Sequence, residues 1–440
     1  MTNYMNILTA ITKNNKYNYL VLIFIYLFSI TAIPFENISN IFRALFILCS
    51  LPILITERKL IFKDPMLKLL GLALLIQIAS WLNACIYLPD IANSGPKIDR
   101  LAKLFSFIFI AYWLKANIGR VYVLWGTLAI GFIIGCFVHV DFTNEVVRAL
   151  NGTRVDFSIK NAQFTAMFAG VSLLISGFLI YQLFSNKKSF KNITIINKAI
   201  FSGLVITALI FFAFISVVTQ SRQVWLALVL TAILSPMFYA VVYPNSNKKR
   251  IFMSYLIISI AFFTLSQSDI IQKRVLRETG TLQKIISGDL DHIPMTSIGI
   301  RVNSWIAAAD WIKERPIIGS DVEAIGEVIQ QSPKFSPWLK KQYQHLHNYH
   351  IETLVAYGFV GLLIIYALYY WLIRSLFIMK KQQPELTAIT LFSLIFVAFW
   401  AIINSFETFN GRSFGVYTHN IMLAGFYTFY LTASLTEQND

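Results

Sequence analysis

Three histidines crowd one short stretch, His345-Leu346-His347-Asn348-Tyr349-His350-Ile351-Glu352. An imidazole titrates near neutrality and can serve as a general base. Two arginines suggest what such a base would work beside. Arg222 lies in Thr219-Gln220-Ser221-Arg222-Gln223, a short polar break between apolar runs, and Arg301 lies early in the periodic stretch Ile298–Glu314. A guanidinium fork matches phosphate oxygens and keeps its charge at any working pH. Two arginines and a histidine on one surface fit an anionic lipid-linked substrate. Each residue also has a plainer reading. Arg222 could snorkel to lipid phosphates, Arg301 could pair with Asp310 or Glu314, and His347 could bond a loop carbonyl. Asn348 reads first as a helix N-cap.

The elements that must hold these residues follow from composition. Of 440 residues, 56% are hydrophobic and 13% charged, and mean hydropathy is +0.62. A soluble fold would carry about 25% charged residues, so this is an all-α polytopic membrane protein. The net charge of +15 does not point to nucleic acid, because its cations lie scattered between apolar runs. Cys49, Cys85 and Cys136 lie within apolar runs without paired spacing and read as small core residues. Twelve apolar spans can be drawn, near 17–33, 38–55, 66–88, 101–114, 121–140, 162–184, 199–218, 224–242, 251–265, 349–373, 388–403 and 416–432. Most meet the length needed to cross a bilayer. Alternate connections carry 17 Lys or Arg on one side, Lys13, Lys59, Lys187, Lys188 and Lys191 among them, against 8 on the other. The richer side is cytoplasmic by the positive-inside rule. That arrangement divides the chain into helices 1–9 over residues 1–265, an outer loop over 266–348, and helices 10–12 over 349–440.

The loop is not a linker. Ile298 to Glu314 has helical spacing and is stopped by Pro316 and Gly319, and Asp321–Gln331 and Ser336–Gln344 read as two further short helices. It should form a small helical cap. Trp305, Trp311 and Trp338 read as interface aromatics or as a sugar platform. His347, Ile351, Leu354, Gly358 and Gly361 step by four, three, four and three. If the tenth helix reached back to His347, all five would share one face, and the glycines would admit a neighbouring helix. Several signatures are missing: no GxxxxGK[ST], no HExxH, no Asp-rich run for a metal, no GxSxG, and no intramembrane string of acids. Neither a metal nor a cofactor is implied.

Ser221-Arg222 after the seventh span, Arg301-xxx-Trp305 followed by Arg315-Pro316-Ile317-Ile318-Gly319, and His345-x-His347-Asn348 running to Gly358-xx-Gly361-Leu362 together resemble the O-antigen ligase family. That family belongs to a superfamily with O-antigen polymerases and protein O-oligosaccharyltransferases. The twelve-span layout with a large outer loop before the tenth span agrees over nearly the whole chain. The resemblance implies an inverting C-type glycosyltransferase of the bacterial inner membrane with its active site facing the periplasm. Its donor would be a glycan on undecaprenyl pyrophosphate, and its acceptor a sugar hydroxyl of lipid A–core oligosaccharide. His347 would be the base and Arg222 and Arg301 the pyrophosphate ligands, with Ser221, His345, Asn348 and His350 as supporting candidates. His345 and His350 depart from the simplest family pattern and leave the identity of the base open. A polymerase and a protein oligosaccharyltransferase are the nearest alternatives. From a different class, a flippase would be expected to show related halves and polar residues deep in several spans, which this chain lacks.

Overall fold

The computed structural model describes residues 10, 12, 14–58, 62–185, 195–276 and 278–436. The cations Lys13, Lys59, Lys187, Lys188 and Lys191 of the charge argument lie outside them. The described elements are helical: α1 (Asn15–Thr31), α2 (Glu36–Thr56), α3 (Pro65–Tyr87), α4 (Asp99–Ala102), α5 (Phe107–Leu114), α6 (Ile118–Val138), α7 (Phe142–Leu150), α8 (Ala162–Ser185), α9 (Ile195–Val218), α10 (Arg222–Val242), α11 (Lys248–Ser266), α12 (Asp269–Leu276), α13 (Thr279–Ile286), α14 (Ser297–Glu314), α15 (Ala324–Gln331), α16 (Pro337–Gln342), α17 (Tyr349–Gln382), α18 (Thr387–Asn404) and α19 (Ser413–Thr436). Among the described residues there is no strand. Among the described residues, eight helices are long and apolar enough to cross a membrane, and this is a multi-pass membrane protein.

Helices occupy all twelve positions drawn from the sequence. The fourth is broken: α4, a 3-10 turn at Lys103–Phe105 and the eight-residue α5 replace one continuous span. Lys115 and Ala116, both with positive φ, then end it. Large apolar residues such as Ile23, Leu75, Phe263 and Leu363 cover the outside of the bundle, as lipid contact requires. Inside, Trp113, Trp125, Phe132, Trp400 and Tyr427 are fully buried. Helices α17, α18 and α19 pack together, with α17 also against α3 and α18 against α10.

Residues 267–348 form a cap with a core of its own. Ile300, Ala308, Val328, Ile329, Phe335 and Leu346 are buried together and meet Val355 of α17. Helix α14 matches its expected span, and α15 and α16 fall within theirs; α12, α13 and α7 were not read from the sequence. Trp305 joins the cap core, its indole donating to Leu346 O at 2.8 Å, whereas Trp338 is exposed.

Helix α17 begins at Tyr349, not at His347. Asn348 caps it, accepting from His350 N at 3.0 Å and Ile351 N at 3.1 Å. The shared face expected for His347, Gly358 and Gly361 therefore does not form. Nor do these glycines seat a neighbouring helix. Gly358 breaks α17 with φ 62° and ψ −164°. Into the break runs the chain 315–321: Phe359 N donates to Pro316 O at 2.8 Å, Val360 N to Ile317 O at 3.2 Å, Ser320 N to Val355 O at 2.8 Å and Asp321 N to Ala356 O at 3.0 Å. From α3, Ser80 Oγ donates to Ala356 O at 2.5 Å and accepts from Asp321 N at 2.8 Å, while Asn83 donates to Gly319 O at 2.7 Å. A Cβ on Gly358 would lie 2.3 Å from Ile317 O, and one on Gly319 2.4 Å from the Ala356 carbonyl carbon. Both glycines are needed for two backbones to touch.

Candidate active site

The cap end of the bundle gathers three arginines, a histidine and two carboxylates. The α9–α10 hairpin is only three residues long, with Gln220 in the left-handed region. It places Arg222 at the start of α10, where its Nη2 meets Glu278 Oε1 at 3.0 Å. Glu278 also accepts from Thr296 Oγ at 2.7 Å, and Thr296 caps α14 by accepting from Gly299 N at 3.2 Å. One carboxylate thus ties Arg222 to the helix that carries Arg301. Burial pushes the Glu278 carboxyl up, but the hydrogen bonds from Thr296 and Arg222 hold it below the usual carboxylate range. Arg154 joins from the α7–α8 connection. Its Nε donates to Thr219 O at 3.0 Å, and it lies within electrostatic reach of Arg222 and Arg301.

Arg301 faces Glu407, with Nη2 to Oε2 at 3.9 Å. The Gln163 amide is assigned so that its nitrogen donates to Glu407 Oε2 at 2.6 Å and its oxygen accepts from Arg301 Nη2 at 2.9 Å. Arg301 Nε is buried and has no hydrogen-bond partner among the described residues. Glu407 also accepts from His347, whose Nδ1 is 3.0 Å from Oε1 and 3.2 Å from Oε2. Burial pushes the Glu407 carboxyl up, yet the His347 hydrogen bond and Arg301 keep it below the usual carboxylate range. An ionised Glu407 fixes the proton on Nδ1 and leaves the Nε2 lone pair free. The arrangement has the base-and-orienter form of acyl-transfer triads, with Glu407 holding the ring and stabilising its cation. His347 has φ 52°. The chain turns there from the cap into α17, and a non-glycine residue stays in the left-handed region only where its surroundings hold it.

The plainer readings of the arginines fail. Arg222 turns inward rather than to lipid, and Asp310 and Glu314 pair with Lys313 and Arg315 instead of Arg301. His345 and His350 stand apart from the His347–Glu407 pair. His345 contacts Arg412, and burial together with that charge lowers its pKa to about 4. His350 Nε2 bonds Ala401 O at 3.0 Å and the ring stacks on Tyr366. Ser221 is buried beside Arg222, its hydroxyl without a partner among the described residues. His419 is buried among Trp400, Tyr369 and Phe107.

Beneath Arg222 lies an apolar cavity of about 830 Å³, walled by Phe178, Tyr181, Val217, Trp225, Leu228 and Phe392. Trp225 stands three residues after Arg222 on α10 and donates to Ser216 O at 2.8 Å. Cation cluster and apolar cavity are therefore neighbours on one helix.

Residues 207–366 match the family model described as O-antigen ligase. The chain carries an O-antigen ligase family domain. No curated protein matches the chain. The ligase domain implies a glycosyltransferase-like enzyme of the O-antigen pathway, with a polysaccharide or lipid-linked substrate in a membrane setting. Arg222, Glu278, Arg301 and His347 lie inside the domain, whereas Arg154, Gln163 and Glu407 come from outside it. Those last three and Glu278 were missed in sequence. Glu407 had a signal: it is the sole charged residue between Glu385 and Arg412. Glu278 had none, being one of nine acids in a nearly neutral loop.

Proposed function

We propose that this protein transfers a glycan from a polyprenyl pyrophosphate to a sugar hydroxyl of lipid A–core oligosaccharide, at the periplasmic face of the inner membrane. The observation that carries the reading is the His347–Glu407 pair set against Arg301, with Arg222 and Arg154 beside it and an apolar cavity below. The cavity suits the polyprenyl tail and the arginines suit the pyrophosphate. His347 Nε2 takes the proton of the acceptor hydroxyl as its oxygen attacks the anomeric carbon. The bond from that carbon to the pyrophosphate oxygen breaks, and the electron pair leaves with the pyrophosphate. Fixed guanidinium groups stabilise the charge that grows there without reorganising. A single displacement inverts the anomeric centre and needs no covalent sugar–enzyme intermediate.

The test is reconstitution of the purified protein in liposomes with undecaprenyl-pyrophosphate-linked glycan and lipid A–core. Appearance of glycan on lipid A–core supports the reading. Glycan extended on the lipid carrier, with none on lipid A–core, would make the protein a polymerase. Loss of donor from the outer leaflet without a new glycosidic bond would make it a flippase.

A further inference from the structure

Against His345, Tyr349 and Thr408 lies a second cavity, half polar and about 720 Å³ in volume, within the size range of ligand sites. Its walls include Arg100, Gln330, Gln344, His345, Tyr357 and Arg412. It abuts the site already described, because Thr408 lines it and follows Glu407. The Tyr357 hydroxyl is buried there without a partner among the described residues. The acids on its wall are mostly engaged. Glu323 holds Lys97 and accepts from Asn93 at 2.9 Å; Glu352 accepts from Leu346 N at 2.9 Å and Thr408 Oγ at 2.8 Å; Glu327 accepts from Gln331 at 3.3 Å.

The cations are less engaged. Arg100 has no ion pair among the described residues, and Arg412 meets only a histidine that burial and the guanidinium itself keep neutral. Behind them, Lys103 lies within electrostatic reach of Arg43, Arg100 and Arg412, with Asp99 as the acidic neighbour. Arg43 sits over the Tyr417 ring, 5.1 Å from its centre. This basic cluster is separate from Arg154, Arg222 and Arg301.

We propose that the polar cavity and its basic rim are the acceptor site, and that they recognise an anionic group, phosphate or carboxylate, on the acceptor saccharide. The proposal rests on the transfer reading above. It gives the two substrates opposite sides of one wall. Lipid-linked pyrophosphate meets the Arg222 side, the acceptor sugar meets the Arg100 side, and His347 lies in the wall between them.

The test uses the full-length protein in liposomes, with R100Q and R412Q measured against wild type. Three acceptor probes are compared: untreated lipid A–core, the same material dephosphorylated, and the same material both dephosphorylated and carboxyl-reduced. Acceptor KM should rise about tenfold or more in each variant, while donor KM and kcat at saturating acceptor stay as in wild type. R100K should recover part of the loss, which separates charge from folding. A penalty that disappears with the dephosphorylated probe identifies phosphate, and one that persists until carboxyls are reduced identifies carboxylate. Unchanged acceptor KM in both variants overturns the proposal. So does full use of the doubly treated probe by wild type, or a penalty present only in vesicles of anionic phospholipid. Binding of untreated lipid A–core is followed in parallel by native mass spectrometry. If wild type transfers nothing, the transfer reading fails alone when binding is still lost in both variants. If they bind like wild type, the acceptor site fails as well.

Discussion

Replacing Glu407 with glutamine tests the heart of the mechanism with little change of shape. The carboxylate accepts from His347 Nδ1 at 3.0 Å and is buried, so the bond is charge-assisted and poorly screened. Hydrogen bonds to charged groups are worth about 1.5–3 kcal/mol, which corresponds to roughly 10- to 150-fold in rate at about 1.4 kcal/mol per decade. A second effect adds to the first. A glutamine can offer its amide N–H to Nδ1, which moves the imidazole proton to Nε2 and removes the lone pair the reaction needs. The combined loss should approach that of the base itself, about 10²–10⁴. Glu407→Gln should therefore lower the single-turnover rate of glycan transfer by at least about 100-fold. Donor binding should change less than the rate, because of the three arginines only Arg301 faces Glu407, and His347→Ala should give a loss of similar size. The assay is rapid mixing of donor-loaded proteoliposomes with lipid A–core and quench. A Glu407→Gln rate within threefold of wild type would refute the pairing as a catalytic device.

Arg222→Lys and Arg301→Lys should each lower kcat/KM for the lipid-linked donor by tenfold or more, since an ammonium cannot make the bidentate contact; Arg154→Gln should raise donor KM, and steady-state kinetics at fixed acceptor checks all three. Gly358→Ala and Gly319→Ala should lower the unfolding temperature in detergent, each by a strain of about 1–3 kcal/mol or more, whereas Gly177→Ala, with open space at its Cβ, should not. Glu278 and Glu407 both have depressed pKa values, so their ionised forms contribute stability that is complete above the ordinary glutamate value of about 4.3 and is lost as pH falls through the folded values. The stability difference between wild type and Glu407→Gln in thermal unfolding should thus be constant from about pH 8 to pH 5 and shrink below about pH 4.

Much of this was legible because its causes are local. Apolar runs gave the helices, the spacing of Ile298, Val302, Trp305 and Ile312 gave α14, and Asn348 marked the start of α17 by its capping chemistry. The His347–Glu407 bond spans 60 residues, and no periodicity links its ends. Gly358 and Gly361 misled for a related reason. Small residues at helical spacing commonly admit another helix, but here Gly358 admits an irregular loop, and only the long-range partner decides between the two. The fourth span was read as continuous because hydropathy does not sense the 3-10 turn at Lys103–Phe105.

The splice between 315–321 and the break in α17 bears on how the protein is made. Around Gly358, the carbonyls of Val355 and Ala356 and the amides of Phe359 and Val360 are satisfied by the loop and not by the helix itself. Unsatisfied backbone groups are costly where water is scarce. α17 is thus not a self-sufficient unit of insertion. Its complement, 315–321, is synthesised first and must wait for it, so cap and helix mature as one event. Excising the cap would not leave the bundle intact beneath an empty face. Removing 315–321 alone would let α17 close its own ladder through Gly358, turning Tyr349–Tyr357 against Gly361–Met379 and carrying the capped end, and His347 with it, out of register with Glu407.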